Sequence, residues 1–226
     1  MFKGLHHTLP VHIISQNDVN IEPGNITTAT STMFGGKSLY ALHAMESRSK
    51  AYRNRYGTTK VVLYVNSSFD DRNGTETPFS THSEIITLEA LDKIGVNFIK
   101  VSKLTDITDD FLRLHKVVFI DEAQFFPDLV ERTLHIAENL GIDVYAMGLT
   151  TDYRRKVFGD LGYLSLIADD SITLRTTFCR FCAEKGVLNK AIHSHRISDT
   201  SGAQIEVGAE NYAPVCRKCY IRENKL

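Results

Sequence analysis

The sequence is poor in cysteine, carries almost no net charge and contains no long apolar run, and each scarcity excludes something. Lysine plus arginine (26) nearly balance aspartate plus glutamate (27), for a formal net charge of −1. The basic excess that holds nucleic acid through its phosphates is therefore missing. No stretch approaches the roughly 20 apolar residues that cross a bilayer, and residues 1–10 lack the apolar core of a secretory signal. A cytoplasmic chain is expected, with no membrane and no nucleic acid among its partners. In that reducing compartment the four cysteines read as metal ligands or reactive thiols before disulfides. What remains is an ordinary globular composition, 42% hydrophobic and 23% charged over 226 residues, enough for one sizeable domain and a small appendage.

Residues 1–24 are polar and unpatterned, and are read as a flexible extension. Beyond them, short apolar runs alternate with helical periodicity. Residues 26–30, 60–65, 97–101, 116–120 and 142–148 read as strands; 39–52, 88–93 and 129–140 read as helices, the last stopping at Gly141. The runs KVVLYV and KVVFI are apolar at every position, as in strands covered on both faces. The expected fold is α/β, a mainly parallel sheet with helices on both faces. After about residue 175 the composition changes and the cysteines appear in pairs. The expected division is therefore 1–24 extension, 25–175 sheet domain and 176–226 cysteine-bearing domain.

Two segments carry chemistry. Ser31-Thr32-Met33-Phe34-Gly35-Gly36-Lys37-Ser38 fits the P-loop pattern of strand, small-residue loop, Gly-Lys-Ser and helix, except that Ser31 stands where the pattern has glycine. Backbone N–H groups and a helix N-terminus bind anionic oxygens, so the loop must let the backbone approach. Lys37 supplies a point charge to the β- and γ-phosphates, and Ser38 a hydroxyl to magnesium. A Gly-Gly turn between strand and helix is the plainer alternative. In the second segment the apolar run 117–120 delivers Asp121 and Glu122 at its C-terminal end, where ligands of open α/β sheets sit. Asp121 is placed to hold magnesium, and Glu122 to accept a proton from an attacking hydroxyl or water.

Cys179-x-x-Cys182 and Cys216-x-x-Cys219 match a closed, structural four-thiolate zinc site. A redox C-x-x-C is the rival reading; two pairs with no other cysteine favour zinc. The metal would organise the intervening segment, which has little apolar content of its own.

Phosphate loop, DEAQFF and paired knuckles, in that order, resemble the type II thymidine kinase family, the cellular and bacterial deoxythymidine kinases. The resemblance runs from about Gly24 to Tyr220 and extends to Asp70-x-Arg72 with Ser80-x-His82, to 148–154 with Phe158-Gly159, to 191–196 and to QIEVGAENY at 204–212. It implies a RecA-like P-loop kinase domain and a zinc-tied lasso loop. It implies transfer of the ATP γ-phosphate to the 5′-hydroxyl of thymidine, with Glu122 as catalytic base. Arg72 would face the phosphates or the acceptor's 5′ end, and Asp70 would support the magnesium region. Main-chain groups around Val207 would bond the pyrimidine edge and Tyr212 would cover the base. Met33, Leu149, Tyr153 and Ser194 would surround its methyl group, with Phe125 near the sugar. Met33 would thus serve both substrates. The family also implies a homotetramer with dTTP as feedback inhibitor. Ser31 and Thr32 replace a frequent Gly-Pro, Ser194 a threonine and Ala209 a glycine. Two other functions compete: a nucleic-acid-dependent ATPase, since Asp121–Gln124 spells a DEAQ box, and a non-enzymatic zinc-ribbon module with a vestigial loop.

Overall fold

The computed structural model describes residues 21–57, 61–69, 79–80, 85–198 and 211–225. Six strands form one sheet: β1 (Ile26–Ser31), β2 (Val62–Ser67), β5 (Val96–Val101), β6 (Val117–Ile120), β7 (Asp143–Gly148) and β8 (Asp170–Leu174). Their order is β5-β2-β6-β7-β1-β8, and every pair is parallel. Two-residue strands β3 (Phe79–Ser80) and β4 (Ile85–Ile86) pair separately.

Strand period sorts the core into two halves. Leu63, Val65, Val118, Ile120, Val144 and Ala146 point to one face, beneath α3 (Asp109–Leu112), α4 (Leu129–Leu134) and α5 (Leu161–Ile167). Val62, Tyr64, Val117, Phe119, Tyr145 and Met147 point to the other, beneath α1 (Lys37–Tyr56) and α2 (Leu88–Lys93). Each large side chain so buried contributes about 1.5–3 kcal/mol. The expected two-sided sheet is what forms.

Helix α1 outruns its expected end and is framed by left-handed glycines, Gly36 (φ 91) and Gly57 (φ 66), with Gly57 N–H donating to Arg53 O at 3.0 Å. The expected 129–140 helix keeps α geometry only through Leu134; residues 135–139 form a π turn before Gly141 (φ 66). Gly24 N–H donates to Ala137 O at 3.0 Å, so the end of the expected extension is docked against this turn. Neither α5 nor β8 announces itself in the sequence. β8 lies at the sheet edge, and its half-exposed DSITL is not an apolar run.

The cysteine-bearing segment folds as α6 (Arg180–Ala183), an antiparallel pair of β9 (His193–Arg196) with β10 (Tyr212–Val215), and α7 (Arg217–Glu223). Its buried core is small: Cys179, Ala213, Val215, Cys219 and Tyr220. Among the described residues no helix is long and apolar enough to cross a membrane.

Candidate active site

The phosphate loop leaves β1 at its C-terminal end and enters α1, whose first N–H groups have no intrahelical acceptors. Left-handed backbone falls at Phe34 (φ 64) and Gly36 (φ 91), whereas Ser31 is still strand. The position where serine replaces the pattern's glycine therefore requires no positive φ. The glycines that matter are the next two. A Cβ on Gly35 would lie 2.4 Å from Ser31 Oγ, and one on Gly36 would lie 2.6 Å from Thr176 Oγ1. Thr176 Oγ1 also donates to Gly35 O at 2.9 Å, pinning the loop from the segment that leads into the cysteines. Thr32 Oγ1 is buried without a protein partner, the kind of orphan that an oxyanion-bearing ligand or a water satisfies.

Two strands over, β6 ends at Ile120 and delivers Asp121 next, and Lys37 is near enough to lower that carboxyl's pKa. Asp121 is 4% exposed. Its Oδ2 accepts the Tyr64 hydroxyl at 2.7 Å and its Oδ1 the Glu122 N–H at 2.8 Å. Burial first, then the neighbouring Glu122, pushes this carboxyl up to about 6, against the lowering by Lys37 and Tyr64. An acid so placed gains from a cation, and its burial and raised pKa fit the chemistry of a magnesium ligand at Asp121. Glu122 sits in left-handed backbone (φ 47, ψ 42), and its Oε2 accepts the Gln124 amide at 2.5 Å. Gln124 Oε1 in turn accepts the Leu149 N–H at 2.9 Å.

Of the expected nucleoside residues, Leu149 is tied to Glu122 through Gln124, and the other described ones contact residues outside the acidic pair. Met33 N–H donates to Ser194 Oγ at 3.1 Å, so that N–H is committed to the cysteine-bearing unit rather than to phosphate. Ser194 borders a cavity of about 110 Å³ lined mainly by hydroxyls, among them Thr30, Thr32, Thr150 and Thr173. Tyr153 and Tyr212 meet edge to face at 6.5 Å, with the Arg196 guanidinium 4.1 Å over the Tyr153 ring and donating to the Tyr212 hydroxyl at 3.1 Å. Phe125 packs between Phe69 and Phe158, with ring centroids 6.3 and 5.5 Å away. Asp152 holds the loop carrying Tyr153, accepting the N–H groups of Arg154 and Lys156 at 2.8 and 2.9 Å. Asp70, Arg72 and Val207 lie outside the described residues.

The four cysteine sulfurs lie within 4.8 Å of one another, and none is in a disulfide. Cys182 Sγ stands 3.8 Å from Cys216 Sγ and 3.6 Å from Cys219 Sγ. Thiolates held about 2.3 Å from a central ion at tetrahedral corners are about 3.8 Å apart, so the set fits such an ion. A hydrogen bond from the Asn189 amide brings the Cys182 thiol down to about 7, while burial and the neighbouring thiols push Cys219 up to about 12.

Sequence reading missed Tyr64, Gln124 and Thr176, whose partners lie 57, 25 and 141 residues away. The quoted DEAQ was the only signal for any of them.

A phosphate loop and an acidic pair at one end of a parallel sheet, with aromatic rings nearby, mark the chain as a P-loop phosphotransferase. The particular family follows from comparison. The thymidine kinase family model matches residues 24–220. The thymidine kinase of Shouchella clausii is 37% identical over 190 residues, 83% of this chain and 91% of that one. That of Yaba monkey tumor virus is 32% identical over 207 residues, 91% and 99% of the two chains. That of Mycoplasma mobile is 30% identical over 198 residues, 88% of each. The chain belongs to the thymidine kinase family.

Proposed function

We propose that this chain transfers the γ-phosphate of ATP to the 5′-hydroxyl of thymidine, giving dTMP for DNA synthesis. The observation that carries the reading is the convergence of the Ser31–Ser38 loop and the Asp121–Glu122 strand end beside a pocket wall contributed by the cysteine-bearing unit. Lys37 and the loop backbone of residues 31–38 other than the Met33 N–H, which Ser194 accepts, position the triphosphate, and Arg72 serves the phosphates or the acceptor's 5′ end. Glu122 accepts the proton of the 5′-hydroxyl as its oxygen attacks the γ-phosphorus and the β–γ bridge bond breaks toward ADP. Ser38 and Asp121, with Asp70 supporting them, hold magnesium. Bound there, the ion neutralises charge on the phosphate oxygens.

The pyrimidine lies against Tyr212, its polar edge reading main-chain groups near Val207. Met33, Leu149, Tyr153 and Ser194 surround the methyl group, and Phe125 packs on the sugar side. Burying a flat ring among aromatics while backbone groups read its edge separates pyrimidines from purines. Cys179, Cys182, Cys216 and Cys219 hold a structural zinc that braces this wall. The reading extends to a cytoplasmic homotetramer inhibited by dTTP, with a kinase domain at 25–175 and a zinc and lasso domain at 176–226.

Thymidine-dependent ADP release tests it. Glu122→Gln is expected to retain ATP binding and to lose roughly 10²- to 10⁴-fold in kcat. Unchanged turnover removes Glu122 as the base. Stimulation by polynucleotide in place of thymidine returns the chain to the DEAQ-box ATPase reading.

A further inference from the structure

Gln124 ends the Asp-Glu-Ala-Gln run, and phosphoryl transfer as described leaves it without a role. The residue is 5% exposed. Its two ends are both committed: Nε2 to Glu122 Oε2 at 2.5 Å and Oε1 to the Leu149 N–H at 2.9 Å. The Leu149 N–H can only donate, so the amide oxygen must face it, and the NH₂ is left for the carboxylate. The network thus fixes the amide's orientation, and the amide in turn selects one orientation of Glu122.

The surroundings leave room for this residue, for its side-chain amide at Gly148 and for its backbone at Gly159. A Cβ on Gly148 would lie 2.2 Å from Gln124 Oε1, and one on Gly159 would lie 2.3 Å from Gln124 O. Two glycines from different segments therefore leave the space that Gln124 occupies. Glu122 needs external support, because a non-glycine residue at φ 47 persists only where neighbours over-determine it.

We propose that Gln124 is a positioning residue that aims the Glu122 carboxylate at the acceptor hydroxyl and ties that aim to Leu149, on the wall of the nucleoside site. The proposal rests on Glu122 being the base. One amide then connects the group that takes the proton to the backbone against which the nucleobase packs. A nucleoside that displaces Leu149 disturbs the base's orientation, and it loses kcat as well as affinity.

A double-mutant cycle tests the connection. Gln124→Met keeps length and removes both hydrogen bonds; Gln124→Glu keeps the acceptor for Leu149, removes the donor and sets a second carboxylate against Glu122. Gln124→Met is expected to lower kcat for thymidine about 10- to 100-fold, as loss of an orienting partner does, with KM for ATP within about 2-fold of wild type. Gln124→Glu is expected to lower kcat at least as far. In a Glu122→Gln background, Gln124→Met is expected to change kcat by less than about 2-fold, since no carboxylate is left to aim. An equal loss in both backgrounds, or full activity in Gln124→Met, overturns the proposal. Glu122→Gln alone separates the two failures: full activity there sinks the assignment of the base before Gln124 is altered. Thermal unfolding of each variant shows which are folded, and Gln124→Glu, the closer isostere, carries the same cycle if the methionine variant is not.

Discussion

The two halves of this molecule hold their shape by different means. The sheet domain buries side chains in two continuous layers, one on each face of six parallel strands. Among the described residues, the apolar cluster of the unit that follows β8 has five buried members, two of them cysteines. At the rates typical of apolar burial, so small a core does not offset the entropy of ordering its segment. The difference shows why catalysis is divided as it is. On the proposed reading the donor site sits on strand ends of the sheet, and the acceptor site draws on a unit that a zinc ion at the four cysteines would hold together.

The largest expected effect breaks the comparison at that metal. Cys219→Ser, or removal of zinc by a chelator, is expected to split unfolding into two transitions, because a structural zinc contributes on the order of 10 kcal/mol or more to the fold that holds it. The 176–225 unit should melt first and the sheet later, with thymidine turnover down at least tenfold and the sheet's own transition unmoved. A single unchanged calorimetric transition, with full activity in the metal-free chain, would show that the small core suffices.

Next in size is the loop that both halves touch. Gly36→Ala forces a side chain into left-handed backbone and against Thr176, at a cost of about 1–2 kcal/mol. KM for ATP is expected to rise about 5- to 30-fold, measured at saturating thymidine. Thr176→Val removes only the hydrogen bond to Gly35 O, worth about 1 kcal/mol, and a change below about 5-fold in the same constant is expected. If Thr176→Val outweighs Gly36→Ala, the contact between halves matters more than the loop's own conformation.

The smallest effect concerns protons in the sheet domain. His115 is buried, bonded to Asn97 Nδ2 at 2.9 Å and to Phe111 O at 3.0 Å, and burial lowers its pKa below the usual 6.5. The unfolded chain therefore takes the proton first as pH falls. The stability contributed is full above the ordinary value and is lost as pH drops through it, by at most about 1.4 kcal/mol per pH unit. His115→Gln should flatten that slope in denaturant melts between neutral and mildly acidic pH. An unaltered slope assigns it to other groups, among them His193 and His195, which burial also lowers.

The same contrast governs what the sequence could disclose. Ser31–Ser38, Asp121–Glu122 and the paired cysteines are legible because each works through near neighbours in the chain, where spacing is itself the geometry. The apolar runs of β2 and β6 declare burial on both faces. β8 is silent because an edge strand needs no such run, and the turn from α4 into π geometry has no local signature that periodicity registers. Tyr64, Gln124 and Thr176 are ordinary polar residues in sequence. They become parts of the site only when the fold brings each to a partner far along the chain. The reading of Ser31 shows the converse: a departure from a pattern looks costly until the backbone places the strained angles at Phe34 and Gly36 instead.

The hydrogen bond from Thr176 to Gly35 O has a consequence for how the chain tolerates change in length. β8 ends at Leu174 and the first cysteine is Cys179, so four residues, 175–178, join the sheet edge to the metal cluster. One of the four grips the phosphate loop, and Thr177 O accepts the Ala191 N–H at 3.1 Å. The segment is a ruler rather than a linker. Inserting even one residue there would advance the cysteine-bearing unit by up to about 3.5 Å relative to β8, moving Thr176 off Gly35 or Ser194 off Met33. Length variation in relatives is therefore expected on either side of this span and not within it.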